Sequence, residues 1–268
     1  MRVLVTGAAS GLGAALVRAL VARGDDVLAT DVDEVGSTSS TNEGGSTNEG
    51  GSTSELRLDI RSDDDWAAAS AWVEEHWGGL DLLVNNAGVA GGGRIERTSM
   101  ADWEWITGIN LFGVVRGTRA FVPMLKAQGS GRIVNVASLA GLVHPPGMGS
   151  YNAVKAAVVA FSETAAHELA PYGVGVSVVC PSYFRTNLMA TMRGEDTDVA
   201  AKIAAMVDES PLTADDIAAA VLAGVDAGEE VIVPDQPARD AVALKHADRT
   251  SYDTLMRQTA ARMKEREA

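Results

Sequence analysis

Short, continuously apolar runs alternate along this chain with longer stretches of helical periodicity. The runs fall at residues 3–6, 27–30, 56–58, 80–84, 132–136, 174–179 and 231–233. Continuous apolarity is what a strand covered on both faces requires. The helical patterns fall at 11–23, 63–77, 100–128, 150–171 and 214–227. This alternation predicts the α/β class: one domain, residues 1–236, with a doubly wound parallel seven-stranded sheet and helices on both faces.

Two stretches depart from the pattern. Residues 37–54 are Ser, Thr, Asn, Glu and Gly only, with a tandem repeat inside them. Such a segment has nothing to bury and reads as a flexible surface linker. It stands where a crossover helix should join the second and third strands, as an engineered or recently expanded replacement for it. Residues 237–268 are charged, helical in pattern and free of strand signal. They form a C-terminal helical extension, packed on the body or on a neighbouring subunit.

Charge and composition narrow the function. The formal net charge of -14 repels phosphate backbones and anionic lipid heads, which argues against nucleic acid and membrane partners. The lone cysteine, Cys180, rules out an intrachain disulfide and ends an apolar run, as a buried thiol would. The first residues lack a signal-peptide layout, and no apolar run spans a bilayer. A soluble cytoplasmic protein is the expectation. His76, His144, His167 and His246 have no metal-ligand spacing, so no metal is expected.

The chemistry begins where the first strand meets a glycine-rich turn, residues 6–13, and a helix follows. Gly7, Ser10, Gly11, Leu12 and Gly13 are candidate cofactor contacts. Glycine allows positive φ and close backbone approach to a pyrophosphate. The helix N-terminus adds unpaired N–H groups and a positive dipole end. Asp31 ends the second strand, where a carboxylate accepts hydrogen bonds from ribose hydroxyls and repels a 2′-phosphate. NAD is therefore expected over NADP.

At this point the sequence resembles the short-chain dehydrogenase/reductase family, and the resemblance extends to about residue 234. The glycine spacing is that family's. Asp59, with Ile60 beside it, matches the acid near the adenine. Asn85, Asn86, Ala87 and Gly88 match the motif that closes the fourth strand. Asn110 matches the helix asparagine, Ser138 the catalytic serine, and Tyr151 and Lys155 the active-site pair. Pro181 and Thr186 match the segment beside the nicotinamide. The resemblance implies a Rossmann fold, a nicotinamide cofactor and a homodimer or homotetramer. Ser182 stands where the family usually has glycine.

Tyr151 and Lys155 lie four apart, on one helix face. A free phenol titrates near ~10 and is a poor base. A nearby ammonium and a nicotinium cation should pull that value down, so that Tyr151 exchanges a proton with a bound alcohol. Ser138 can donate to the carbonyl oxygen as charge develops. Asn110, by the resemblance, would hold a water that connects Lys155 to solvent; Asn86 reads as packing. Leu139, His144, Met148, Tyr183, Phe184 and Leu188 are candidate substrate contacts, with Ser138 and Tyr151. They suggest an apolar, adaptable pocket for a hydrophobic secondary alcohol or ketone. Residues 195–209 read as part of a mobile lid. The competing reading is a non-catalytic NAD sensor or scaffold on the same fold.

Overall fold

A computed structural model describes residues 1–35 and 51–264. Among them, seven strands form one all-parallel sheet: β1 (Arg2–Thr6), β2 (Asp26–Asp31), β3 (Thr53–Arg57), β4 (Leu82–Asn85), β5 (Gly131–Val136), β6 (Val174–Val179) and β7 (Val231–Ile232). The order across the sheet is β3-β2-β1-β4-β5-β6-β7. The strand order reverses between β1 and β4, and ligands of such sheets bind outside the carboxyl ends at that point.

Helices cover both faces. α1 (Gly11–Ala22) lies on one face; α2 (Asp63–Trp77), α3 (Met100–Asn110) and α4 (Phe112–Gln128) follow β3 and β4. The short α5 (Ala140–Val143) and long α6 (Gly149–Leu169) follow β5. α7 (Thr197–Asp208) and α8 (Ala214–Asp226) follow β6, and α9 (Gln236–Ala247) and α10 (Arg249–Lys264) come last.

The pleat sorts the core. Val3 and Val5 of β1 pack with Leu16 and Leu20 of α1 and Ile217 and Val221 of α8. Leu4, between them, points the other way and joins Trp66, Phe121, Leu125 and Leu169. All of these side chains are buried, and each fully buried Leu or Phe contributes roughly 1.5–3 kcal/mol. Cys180 is buried too, and burial pushes its thiol up to about 12.

Three expectations need correction. The predicted helix over 100–128 is two helices that meet at Leu111, whose φ of -106° and ψ of -59° break the line. The third strand starts at Thr53, inside the stretch read as linker, and ends at Arg57. It is an edge strand held by its pairing with β2, so it needs no apolar run. Gly51, also assigned to the linker, donates its N–H to the Val21 carbonyl at 3.1 Å. A Cβ there would collide with the Asp25 carbonyl. The rest of the linker reading, residues 37–50, lies outside the described residues.

Candidate active site

The turn after β1 is shaped by its glycines. Gly7 has φ +69° and Gly11 φ +53°, where an L side chain is strained. A Cβ on Gly7 would come within 2.8 Å of the Ala87 Cα. Asn86 clamps the turn from β4: its Nδ2 donates to the carbonyls of Thr6 (2.9 Å) and Gly7 (3.3 Å). Thr6 Oγ1 in turn accepts from the N–H groups of Asn86 and Ala87, each at 3.0 Å. Asn86 is thus a structural clamp between the two strands at the switch point, a stronger role than the packing read from sequence.

A cavity of about 1320 Å³ runs along the carboxyl edge of the sheet. Gly7, Ser10, Gly11 and Leu12 line one end, with Asp31, Asp59 and Ile60. Asn86, Ala87 and Gly88 line its middle, and Pro181 and Thr186 lie farther along the same wall. Gly13 does not line it. It is buried behind the turn, where a Cβ would meet the Gly7 carbonyl oxygen, so it is a close-packing glycine.

The end of the cavity formed by the turn fits a dinucleotide. α1 begins there with no acidic residue in its first turn, and the Ser10 side chain caps nothing. The open amide end is therefore available to an anion. Asp31 accepts from the Ala9 N–H at 3.0 Å and the Val32 N–H at 2.7 Å, which fixes its carboxylate beside the turn. Asp59 is not a free acceptor. Arg61 grips it through Nε at 2.9 Å and Nη2 at 2.6 Å, and this hydrogen bonding lowers the Asp59 pKa.

Beyond these, Ser138, Leu139, Met148, Tyr151 and Lys155 line the cavity, and so do Tyr183, Phe184 and Leu188. Ser138 is carried out of β5 by pairing with β6: Ala137 N–H donates to the Val179 carbonyl and Leu139 N–H to Pro181, each at 2.8 Å. Its Oγ accepts from the Ala140 N–H at 3.2 Å and also bonds with Tyr151.

Tyr151 does not have the lowered pKa expected from its neighbour. Burial pushes the phenol up to about 12, the Ser138 hydrogen bond opposing only in part. Lys155 explains why. Its Nζ donates to the Val136 carbonyl at 2.9 Å and stands 5.7 Å from the centre of the Tyr151 ring. Burial also drives the lysine down to about 8. Desolvation dominates at both groups.

The lysine carries a stability prediction. The unfolded side chain titrates near 10.5 and the folded one near 8. Below about pH 8 both states hold the proton, and the fold carries the whole cost of a buried cation. Between about 8 and 10.5 only the unfolded chain holds it, so stability rises with pH across that window. Lys155→Met removes this slope. Thermal melts should show the parent gaining on Lys155→Met by on the order of 3 kcal/mol from pH 8 to 10.5; a constant gap would refute the assignment.

Two predicted residues sit elsewhere. Asn110 is buried at the end of α3 and does not line the cavity. Its Oδ1 accepts from the Val89 N–H at 2.8 Å and its Nδ2 donates to the Val89 carbonyl at 2.9 Å. It fixes the loop after β4. His144 is absent from the cavity wall. It caps α5 in the left-handed region at φ 57°, with Nε2 3.1 Å from the Gly141 carbonyl and Nδ1 2.9 Å from Lys245 Nζ.

The stretch read as a lid is docked. Val199 and Ile203 of α7 pack in the cluster that holds Tyr151. Asp196, just before α7, takes the Arg94 N–H at 2.9 Å and its guanidinium at 2.8 Å, a pair almost out of solvent. The sequence reading missed Asp235, the N-cap of α9. It accepts from Ser182 N–H at 2.9 Å and Ser182 Oγ at 2.6 Å. The serine in place of the family's glycine therefore ties the loop after β6 to the C-terminal helices.

Residues 1–197 match the family described as short chain dehydrogenase. The chain is 34% identical over 232 residues to a 2-(R)-hydroxypropyl-CoM dehydrogenase of Xanthobacter autotrophicus, covering 84% of this chain and 91% of that one. A short-chain dehydrogenase/reductase of Burkholderia phymatum, solved with NAD, superposes with TM-score 0.81 and 30% identity over 92% of this chain and 93% of that one. One of Burkholderia cenocepacia, solved with NADP, gives TM-score 0.76 and 27% identity, covering 95% and 96%.

Proposed function

The chain belongs to the short chain dehydrogenase family, and from that premise we propose that it is an NAD-dependent enzyme interconverting a hydrophobic secondary alcohol and its ketone. The oxidoreductase class follows from the family. The cofactor preference and the substrate are the finer reading. The observation that carries it is one continuous cavity lined both by the open end of α1 with Asp31 and by Ser138 with Tyr151.

Preference for NAD rests on charge. Asp31 and Asp33 both line the cavity beside the glycine turn, where a 2′-phosphate would meet two carboxylates. Arg61 lines the same end, but Asp59 already neutralises it. No second cation among the described residues lines that end.

Bound nicotinamide supplies the hydride acceptor or donor. The protein's own groups handle the proton. Tyr151 is protonated at neutral pH in the state described, so its Oη is set to donate to a ketone oxygen during reduction. Ser138 Oγ offers a second hydrogen bond to that oxygen as charge builds. In the oxidative direction the phenol must first be made more acidic. Lys155 and a cofactor cation are the groups that do this. Met148, Tyr183, Phe184 and Leu188 exclude water around them and favour an apolar substrate.

The test is an absorbance screen with NAD and NADP over secondary alcohols and ketones, with Asp31→Ala beside the parent. The parent should prefer NAD. The variant should narrow the NAD-to-NADP ratio of kcat/KM by about 10- to 100-fold, the effect of removing one nearby like charge. Equal use of both cofactors by the parent, or an unchanged ratio in the variant, would contradict the cofactor reading.

A further inference from the structure

The two C-terminal helices are built unlike a tail. Of all their residues only Ala238 and Tyr252 are buried. Yet α10 carries a largely apolar stripe: Tyr252, Leu255, Met256 and Met263 all line the cavity that holds Tyr151, together with Thr259 and, at its end, Arg262. These positions recur at helical spacing, so one face of α10 looks into the cavity. A helix that served only to cap the domain would bury such a stripe against the core. This one holds it across an open space.

The exposed apolar residues point the same way. Leu244 of α9 is 37% exposed, and Leu255 of α10 and Met206 of α7 are each 41% exposed. All three line this one cavity. Three helices thus turn large apolar side chains toward a common space that continues to Ser138 and Tyr151.

The wall is also fastened. Tyr252 Oη donates to the Val143 carbonyl and Lys245 Nζ to the Leu142 carbonyl, both at the end of α5. Arg94 Nη2 reaches the Met263 carbonyl at 3.3 Å. Asp235 fixes the start of α9 on Ser182. These bonds join the helices to the segments on either side of Ser138 and Tyr151.

We propose that α9 and α10 form the far wall of the substrate chamber and select an elongated, apolar alcohol or ketone, its reacting carbon at Tyr151 and its chain extending to Leu255. This rests on the dehydrogenase reading above and adds the shape of the substrate and the residues that measure it.

The test uses the full chain with NAD and a series of straight-chain secondary alcohols of increasing length. kcat/KM should rise about two- to fourfold per added methylene until the chamber is filled. Leu255→Trp fills the chamber from a partly exposed position that the fold tolerates. It should reduce the ratio of kcat/KM between the longest and shortest alcohols at least about tenfold, the worth of a few buried methylenes. Arg257→Trp, on an exposed position of α10 that does not line the cavity, should leave that ratio as in the parent. A parent whose kcat/KM is flat with length, or a Leu255→Trp ratio equal to the parent's, overturns the wall assignment while the dehydrogenase reading stands. Absence of turnover with every alcohol and ketone overturns the dehydrogenase reading itself, and this inference with it.

Discussion

Tyr151→Phe is expected to lower kcat/KM for both alcohol oxidation and ketone reduction by about 10²- to 10⁴-fold, the usual worth of a positioned acid–base group. The ring stays in its pocket among Met148, Val199 and Ile203; only the hydroxyl is lost. Cofactor affinity should hardly move, because the glycine turn and Asp31 are untouched. Steady-state rates over a range of substrate concentrations with the cofactor saturating, together with cofactor titration, separate the two effects. Activity within a few-fold of the parent would remove Tyr151 from the proton path. The phenol's raised pKa sharpens the expectation. In the cofactor-free protein it stays protonated to about pH 12. A lower value for the phenol itself would come with cofactor binding, and a profile of kcat measured with NAD saturating, set against the Lys155 value of about 8, would report it.

Gly13→Ala should be among the most damaging small changes in the described part of the protein. Gly13 is buried behind the turn, and a Cβ there would run into the Gly7 carbonyl and crowd Asn86 Nδ2 at 2.7 Å. The obstacle is backbone on one side and the clamp between β1 and β4 on the other, so neither yields easily. Overpacking of this kind costs about 1–3 kcal/mol, a fall of roughly 2–12 °C in Tm for a chain this size. The turn would also lose the shape that opens α1 to a pyrophosphate. NAD affinity measured by calorimetry should fall at least about tenfold, by analogy with other misplaced anion-site donors. A variant that melts and binds like the parent would show that the close packing of this turn is not needed.

The parts of the site that the sequence made legible are those that depend on local geometry. Tyr151 and Lys155 share a helix face because of their spacing. The glycine turn is readable because positive φ demands glycine at Gly7 and Gly11. The sheet is readable because buried parallel strands must be apolar throughout. What escaped depends on partners distant in sequence. β3 is polar because an edge strand needs only its backbone ladder. His144 faces Lys245, 101 residues away, and no local pattern announces it. The carboxamide of Asn110 is bound at both ends to Val89, 21 residues away, a partner that no local pattern shows. The departure at Ser182 was visible, but its meaning required Asp235, which the fold brings beside it. The cavity-facing stripe of α10 has the spacing of any amphipathic helix, and sequence cannot tell a stripe that meets a core from one that meets a ligand.

On the proposed function, a hydride passes from a carbinol carbon to nicotinamide while Tyr151 takes the hydroxyl proton. The most direct measurement supplies a secondary alcohol deuterated at the carbinol carbon, with NAD, and examines the cofactor by mass spectrometry. The prediction is a reduced nicotinamide carrying the deuterium, formed by the parent and nearly absent with Tyr151→Phe. Reduced cofactor without the label, or labelled cofactor formed equally fast by the variant, would contradict it.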